Sequence, residues 1–243
     1  MIDVFKEILS ATKSLKFLEL VKVVATENST ELDSMSMDKT VVLNSKFLNP
    51  VPELSGTFGL HDLGMLHNIL NIPEYKDNAI ITVTRANHNG EDIPVGLSFQ
   101  NASGDFKNEY RFMSREIIEI NLPSRTRNAI AWDVAVVPTL SAIQRFQFLT
   151  PTAKSSDNTF KARIENGNLI FSVGDKSTHT GEFVFASGVS GTVKKEFNWP
   201  LSHVQAILNL PGEKTLDISN RGGMKITVTT GLAVHNYTVL ASQ

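Results

Sequence analysis

The feature that most constrains this chain is a recurring order of elements. Near the end, Lys194 to Asn198 reads as extended, Pro200 to Leu210 as an amphipathic helix, and Thr215 to Ser219, Met224 to Thr229 and Val234 to Ala241 as strands. The same order occurs upstream, where Val41 to Leu43 and Gly56 to Leu60 run into a helical segment, His61 to Asn71. Ala79 to Thr84 and Pro94 to Phe99 then resume strand character. A helix with several strands, used more than once, points to assembly more than to catalysis.

The first segment sets Phe5, Ile8, Leu9 and Thr12 on one helical face and Asp3, Lys6, Glu7, Ser10 and Lys13 on the other, so a helix is expected over 2–13. Phe17 to Ala25 reads as a strand, Asn28 to Thr30 as a turn, and Leu32 to Val42 as extended chain carrying Met35 and Met37. Pro50 and Pro52 mark a loop, since proline cannot donate to a strand ladder. Asn89-Gly90 and Asn166-Gly167 lie between alternating runs and supply the positive φ angles of two-residue hairpins; Arg221-Gly222-Gly223 turns a third. After Pro138, Thr139 caps a helix over 139–149 with Leu140, Ala142, Ile143 and Phe146 inward and Ser141, Gln144, Arg145 and Phe148 on its other sides. His61-Asp62 marks another helix start, with Asp62 as the cap. Short strands and tight turns imply antiparallel sheets with helices on one side, an α+β fold.

The 243 residues suit two domains. The pattern loosens between Ser114 and Asn128, so the expected division is 1–121, a connector over 122–131, and 132–243. No run of 18 apolar residues occurs, and two acids lie in the first seven positions where a signal peptide needs basic flanks, so a soluble cytoplasmic protein is expected. With no cysteine, disulfides and thiolate chemistry are excluded. The net charge of −2 gives no global attraction to nucleic acid, so such a role requires cations gathered on one surface.

No catalytic constellation stands out. His61, His67, His88, His179, His203 and His235 are scattered, no HExxH spacing exists, and neither a GxSxG elbow nor a phosphate-binding loop is present. Neither an enzyme activity nor a cofactor or metal is expected. Lys6, Lys13, Arg145 and Lys154 are individually ordinary surface cations, but on the polar sides of equivalent helices facing one cavity they form a positive lining. Trp132 and Trp199 read as packing residues.

Phe197-Asn198, the helix Leu201 to Leu210, Pro211-Gly212, Lys214, and His235-Asn236-Tyr237 leading into Val239-Leu240-Ala241 resemble the closing pattern of the DNA polymerase sliding clamps, or processivity factors, of T-even-type bacteriophages. Asp62-Leu63, the helix from Leu140 to Leu149 and the hairpin through Glu165-Asn166-Gly167 add to the likeness, which is specific after about Thr139; Glu27 to Val51 matches poorly. The resemblance implies a DNA clamp fold with two βαβββ units per domain. Three subunits would close head to tail around duplex DNA, sheets outside and helices inside, in the cytoplasm of an infected bacterial host. The edge strands that would join subunits are Asn108 to Met113 and Thr180 to Ala186. DNA-facing candidates are Lys6, Lys13 and Arg145, with Lys154, Arg125 and Arg127. The polymerase and a clamp loader would dock apolar peptide tails near Leu122, Pro123, Val239 and Leu240. The competing expectation is a β-rich phage structural or assembly protein that pairs edge strands and polymerises.

Overall fold

The structure, a computed structural model, describes all residues except 77, 89, 124–128, 150, 152–157, 175–179 and 243. It divides into two compact units. One comprises 1–37, 43–126 and 231–235; the other comprises 38–42, 127–230 and 236–243. Neither is a single stretch of chain.

The first unit begins with α1 (Ile2–Ala11), continued by a 3-10 turn at Lys13–Leu15. Three antiparallel strands follow: β1 (Val21–Ala25), β2 (Thr30–Met35) and β3 (Val41–Phe47). Next come β4 (Gly56–Leu60), α2 (Leu63–Leu70), β5 (Ile80–His88), β6 (Glu91–Gln100) and β7 (Lys107–Arg111), then α3 (Arg115–Asn121). The order β4-β1-β2-β3 forms one sheet layer of this unit and β5-β6-β7 another. Phe5, Ile8 and Leu9 of α1 and Leu63, Leu66 and Ile69 of α2 share one core with Val21, Val23, Phe58, Leu97, Phe99 and Tyr110. Burying that many large apolar side chains is what holds both helices to the strands.

The second unit runs β8 (Val134–Val136), α4 (Leu140–Leu149), β9 (Thr159–Glu165), β10 (Asn168–Gly174) and β11 (Thr180–Ser187). A second pass follows: β12 (Trp199–Pro200), α5 (Leu201–Leu208), β13 (Glu213–Ile218), β14 (Gly223–Thr229) and β15 (Ala233–Leu240), the last beginning in the first unit. Its sheets have the orders β11-β10-β9-β12 and β15-β14-β13-β8. Phe146 of α4 sits among Phe160, Phe171 and Phe183, at ring-centroid separations of 5.0, 5.4 and 6.3 Å, which fixes α4 on its sheet.

The element order is therefore βαβββ twice in the second unit and once in the first, where the other pass reads αβββ from α1. An echo in the residues themselves accompanies it. Ile69-Leu70-Asn71-Ile72-Pro73 ends α2 and Ile207-Leu208-Asn209-Leu210-Pro211 ends α5, with both asparagines at the C-cap.

Local signals account for most boundaries. Asp62 accepts from the Met65 amide at 3.0 Å and Thr139 Oγ1 from the Ala142 amide at 3.1 Å, the expected caps. Asn166 and Gly167, at φ 50° and 72°, turn the β9–β10 hairpin with Glu165 opposite Asn168. His88 lies opposite Glu91 in β5–β6; Asn89, on which the expected Asn-Gly turn rests, is outside the described residues. The turn at 219–222 joins β13 to β14, Ser219 donating to the Gly223 carbonyl at 2.8 Å.

Several expectations are corrected. Phe17 to Leu20 is not strand, because Lys16 at φ 65° reverses the chain first and β1 starts at Val21. The extended run expected over Leu32 to Val42 is broken at 37–40, where Asp38 accepts from both the amide and hydroxyl of Thr40 and Lys39 is left-handed. The loosened segment after Ser114 contains α3, whose Ile118 is fully buried against Gly59; a Cβ there would lie 2.9 Å from Ile118 Cδ1. Lys194 to Phe197 is irregular, the Lys194 amide being held by the Asn220 side chain; Asn198 makes an isolated antiparallel bridge to Ser242, and the strand is limited to Trp199–Pro200. Leu140 faces outward at 72% exposure.

Candidate nucleic-acid interface

In the first unit, α1 exposes Asp3 and Lys6, and Lys13 lies half-exposed in the turn beyond it. Lys6 lies on α1 itself, whereas Lys13 follows the break at Thr12, whose backbone (φ −128°, ψ −74°) is not helical. Glu7 does not join them. Its Oε1 is 2.8 Å from Nε2 of His235, whose Nδ1 is 2.8 Å from Ser45 Oγ. That geometry suits an imidazole that donates to the carboxylate and accepts from the hydroxyl. The ring is 2% exposed, so the Glu7 charge is turned into the unit and away from the helix surface. The neighbouring α2 contains no lysine, arginine or carboxylate between Leu63 and Leu70; its exposed positions are Met65, His67 and Asn68.

In the second unit, α4 exposes Ser141, Gln144, Arg145 and Phe148. The Arg145 guanidinium lies 5.3 Å above the Phe183 ring, a cation–π contact that steadies it. No lysine, arginine or carboxylate occurs in α5 between Leu201 and Leu208 either, and the helix shows Ser202 and half-exposed His203 and Gln205. His203 Nδ1 is 3.2 Å from Thr40 Oγ1. Gln147 of α4 donates to Asn209 at the end of α5, which joins the two helices. The helix surfaces thus mix neutral polar residues and isolated cations with exposed apolar side chains, Met65 on α2 and Leu140 and Phe148 on α4.

The remaining DNA-facing candidates, Lys154, Arg125 and Arg127, lie outside the described residues. Of the apolar candidates in the first unit, Leu122 is buried and Pro123 is exposed. Val239 is fully buried in the second unit while Leu240, the next residue of β15, is 44% exposed, as strand alternation requires.

Sequence reasoning passed over three polar arrangements because each joins residues far apart in the chain. The first is Glu7–His235–Ser45. In the second, Lys22, 2% exposed, donates to the Leu122 carbonyl at 2.9 Å and lies 3.8 Å from Asp33, whose other oxygen accepts from Asn44 at 2.6 Å. In the third, Asn220 donates its amide to Asp133 at 2.7 Å while its side chain accepts from the Lys194 amide and donates to the Thr192 carbonyl. Those hydrogen bonds from Asn220, with Lys194 and Arg221 nearby, hold the Asp133 carboxyl below the usual range. Among the described residues no three His, Asp or Glu side chains converge as a metal site. Among the described residues no helix is long and apolar enough to cross a membrane.

This sequence matches no protein-family model and no curated protein. Solved structures do resemble it. PCNA from Thermococcus kodakaraensis superposes with a TM-score of 0.68 at 11% identity, over 98% of this chain and 97% of that one. The chain has the DNA clamp fold. PCNA of A. fulgidus, solved with the C-terminal region of FEN-1 bound, gives a TM-score of 0.69 at 9% identity, covering 100% of this chain and 96% of that one. The clamp likeness therefore spans both units. At these identities it is carried by element order and packing, not by shared side chains. Within the clamp fold, β7 and β11 end their sheets, as expected for the two edge strands, although Met113 pairs with Gly59 and so lies beyond the free part of β7.

Proposed function

We propose that this protein is a sliding clamp, a processivity factor that encircles duplex DNA and tethers a DNA polymerase. The observation that carries the reading is likeness to PCNA over essentially the whole chain, so both units take part. Three copies would close into a ring by pairing β7 of one with β11 of the next, which satisfies both open edges at once. Helices α1, α2, α4 and α5 would line the hole. Their largely uncharged surfaces, with Lys6, Lys13 and Arg145 as scattered cations, suit a duplex held by enclosure. Isolated charges acting over a screening length of about 8 Å centre the DNA without reading its bases.

A clamp loader would open the ring, and polymerase and loader would dock apolar segments beside surface residues such as Pro123 and Leu240. The bound FEN-1 segment on the A. fulgidus protein supports docking of this kind. The likeness of the closing sequence pattern favours a T-even-type phage, and hence the cytoplasm of its host, as the setting. On this reading the protein acts without catalysis.

The test is topological. Loaded onto a nicked circle, the protein stays bound until a restriction enzyme linearises the DNA and then leaves by the ends. Equal retention on circular and linear DNA refutes the clamp. Sedimentation at several concentrations is expected to give a closed trimer; open-ended filaments support the rival assembly protein instead.

A further inference from the structure

The two units finish corresponding sheets differently. In the second, β8 covers the outer edge of β13 in antiparallel register, with Val136 opposite Leu216, Ala135 opposite Asp217 and Val134 opposite Ile218. Beneath that cover Leu216 and Ile218 are 0% and 1% exposed, and Val134 and Val136 are buried beside them. In the first unit β5 occupies the place of β13, following α2 as β13 follows α5. Among the described residues its outer edge has no strand, and the sheet stops at β5. The corresponding inward residues, Ile81 and Val83, are only half-buried on the core. An apolar rim is left beside an unpaired backbone edge.

The usable edge is short. Register with β6 shifts between Thr84 and Arg85, where β6 carries Pro94, and beyond that point Arg85 is folded onto the Ser55 carbonyl and Asp92. This leaves Ile80–Thr84, a length suited to a strand as short as the three-residue β8. Exposed edges of this kind accept an added strand, main-chain bonds giving affinity and alternate side chains giving selectivity.

We propose that Ile80–Thr84 is an acceptor site for an extended segment of a partner protein, of the pattern apolar, small, apolar, lying antiparallel on β5 as Val134-Ala135-Val136 lies on β13. The two inward side chains of the guest cover Ile81 and Val83. Another copy of this chain is poorly matched through β7, where Lys107, Glu109 and Arg111 are exposed, and through β11, where Thr180 and Glu182 are exposed. The inference does not depend on the clamp reading, since it uses only the contrast between β5 and β13.

The probe is a synthetic, end-blocked peptide with the sequence of residues 132–138, added to the full chain. Amide hydrogen exchange is followed by fragment mass spectrometry. Exchange across Ile80–Thr84 is expected to slow about tenfold at millimolar peptide, as for newly paired edge amides. The same peptide N-methylated at alternate amides, unable to pair, is expected to have no effect. Unchanged exchange at Ile80–Thr84 with saturating peptide overturns the proposal, as does protection confined to Leu216–Ile218, which indicates displacement of β8. Concentration-dependent protection of Ile80–Thr84 without peptide assigns the edge to a second copy and also overturns it.

Discussion

Lys22 allows a demanding test of how the first unit holds the end of α3. The lysine is 2% exposed, its ammonium donates to the Leu122 carbonyl at 2.9 Å, and Asp33 stands at 3.8 Å with about a third of its side chain in solvent. Lys22→Met keeps most of the aliphatic volume, so little cavity forms and the loss is chiefly a charge-assisted hydrogen bond, about 2 kcal/mol. Asp33→Asn keeps the shape and an acceptor for Asn44 but strips the counter-charge from a buried ammonium, which costs about 3 kcal/mol or more. The charge-removing change at the lysine should therefore be the milder of the two. Combined, they should cost little more than Lys22→Met alone, because the asparagine then faces no buried charge. Urea titrations give these differences, and Lys22→Met alone is expected to lower the melting temperature by about 4–8 °C. Amide exchange should quicken locally at 115–122, where the Leu122 carbonyl has lost its donor. Should Lys22→Met prove costlier than Asp33→Asn, or leave exchange at 115–122 untouched, the proposed anchoring of α3 is wrong.

Tyr110 donates to the His61 carbonyl and its pKa is pushed above the usual phenol range, first by burial. A raised folded-state pKa means that the neutral phenol stabilises the fold below the unfolded value near 10, and this contribution falls away as pH rises beyond it. Tyr110→Phe should cost about 1 kcal/mol at neutral pH and flatten the alkaline limb of the stability profile, measured by urea titration from pH 8 to 11. Gly212, at φ 116°, has no room for a side chain, since a Cβ would lie 2.5 Å from the Thr229 carbonyl oxygen; Gly212→Ala should destabilise by about 2 kcal/mol or more in thermal melts. Lys13→Glu with Arg145→Glu should reduce loading and processive synthesis while costing about 1 kcal/mol through the lost Phe183 contact. Unchanged polymerase stimulation would remove both residues from the DNA-facing surface.

Much of the fold was legible because it is written in short-range chemistry. Asp62 and Thr139 announce helices by capping, Asn166-Gly167 announces a hairpin by its backbone freedom, and the spacing of Phe5, Ile8 and Leu9 announces the buried face of α1. Misreadings arose where tertiary partners decide. Residues 194–197 have strand-like composition, yet Asn220 captures the Lys194 amide. In α3, Ile118 alone is buried while Ile117 and Ile120 are exposed, so the helix has no periodic stripe to recognise. At the candidate site Lys6 and Arg145 are surface cations as the spacing implied. That Glu7 turns inward to His235 follows from a contact across 228 residues, which no local pattern encodes.

The interleaving of the chain bears on how the protein is made. Residues 231–235 belong to the first unit although they leave the ribosome more than a hundred residues after 43–126. At synthesis rates of about 5–20 residues per second, the early part waits several seconds or longer for its last piece. Severing the polypeptide near residue 122 would not yield two self-sufficient halves: the amino-terminal fragment would lack 231–235, and the carboxy-terminal one would lack 38–42. The first unit is therefore completed only after residues 231–235 have emerged, long after most of it has been made.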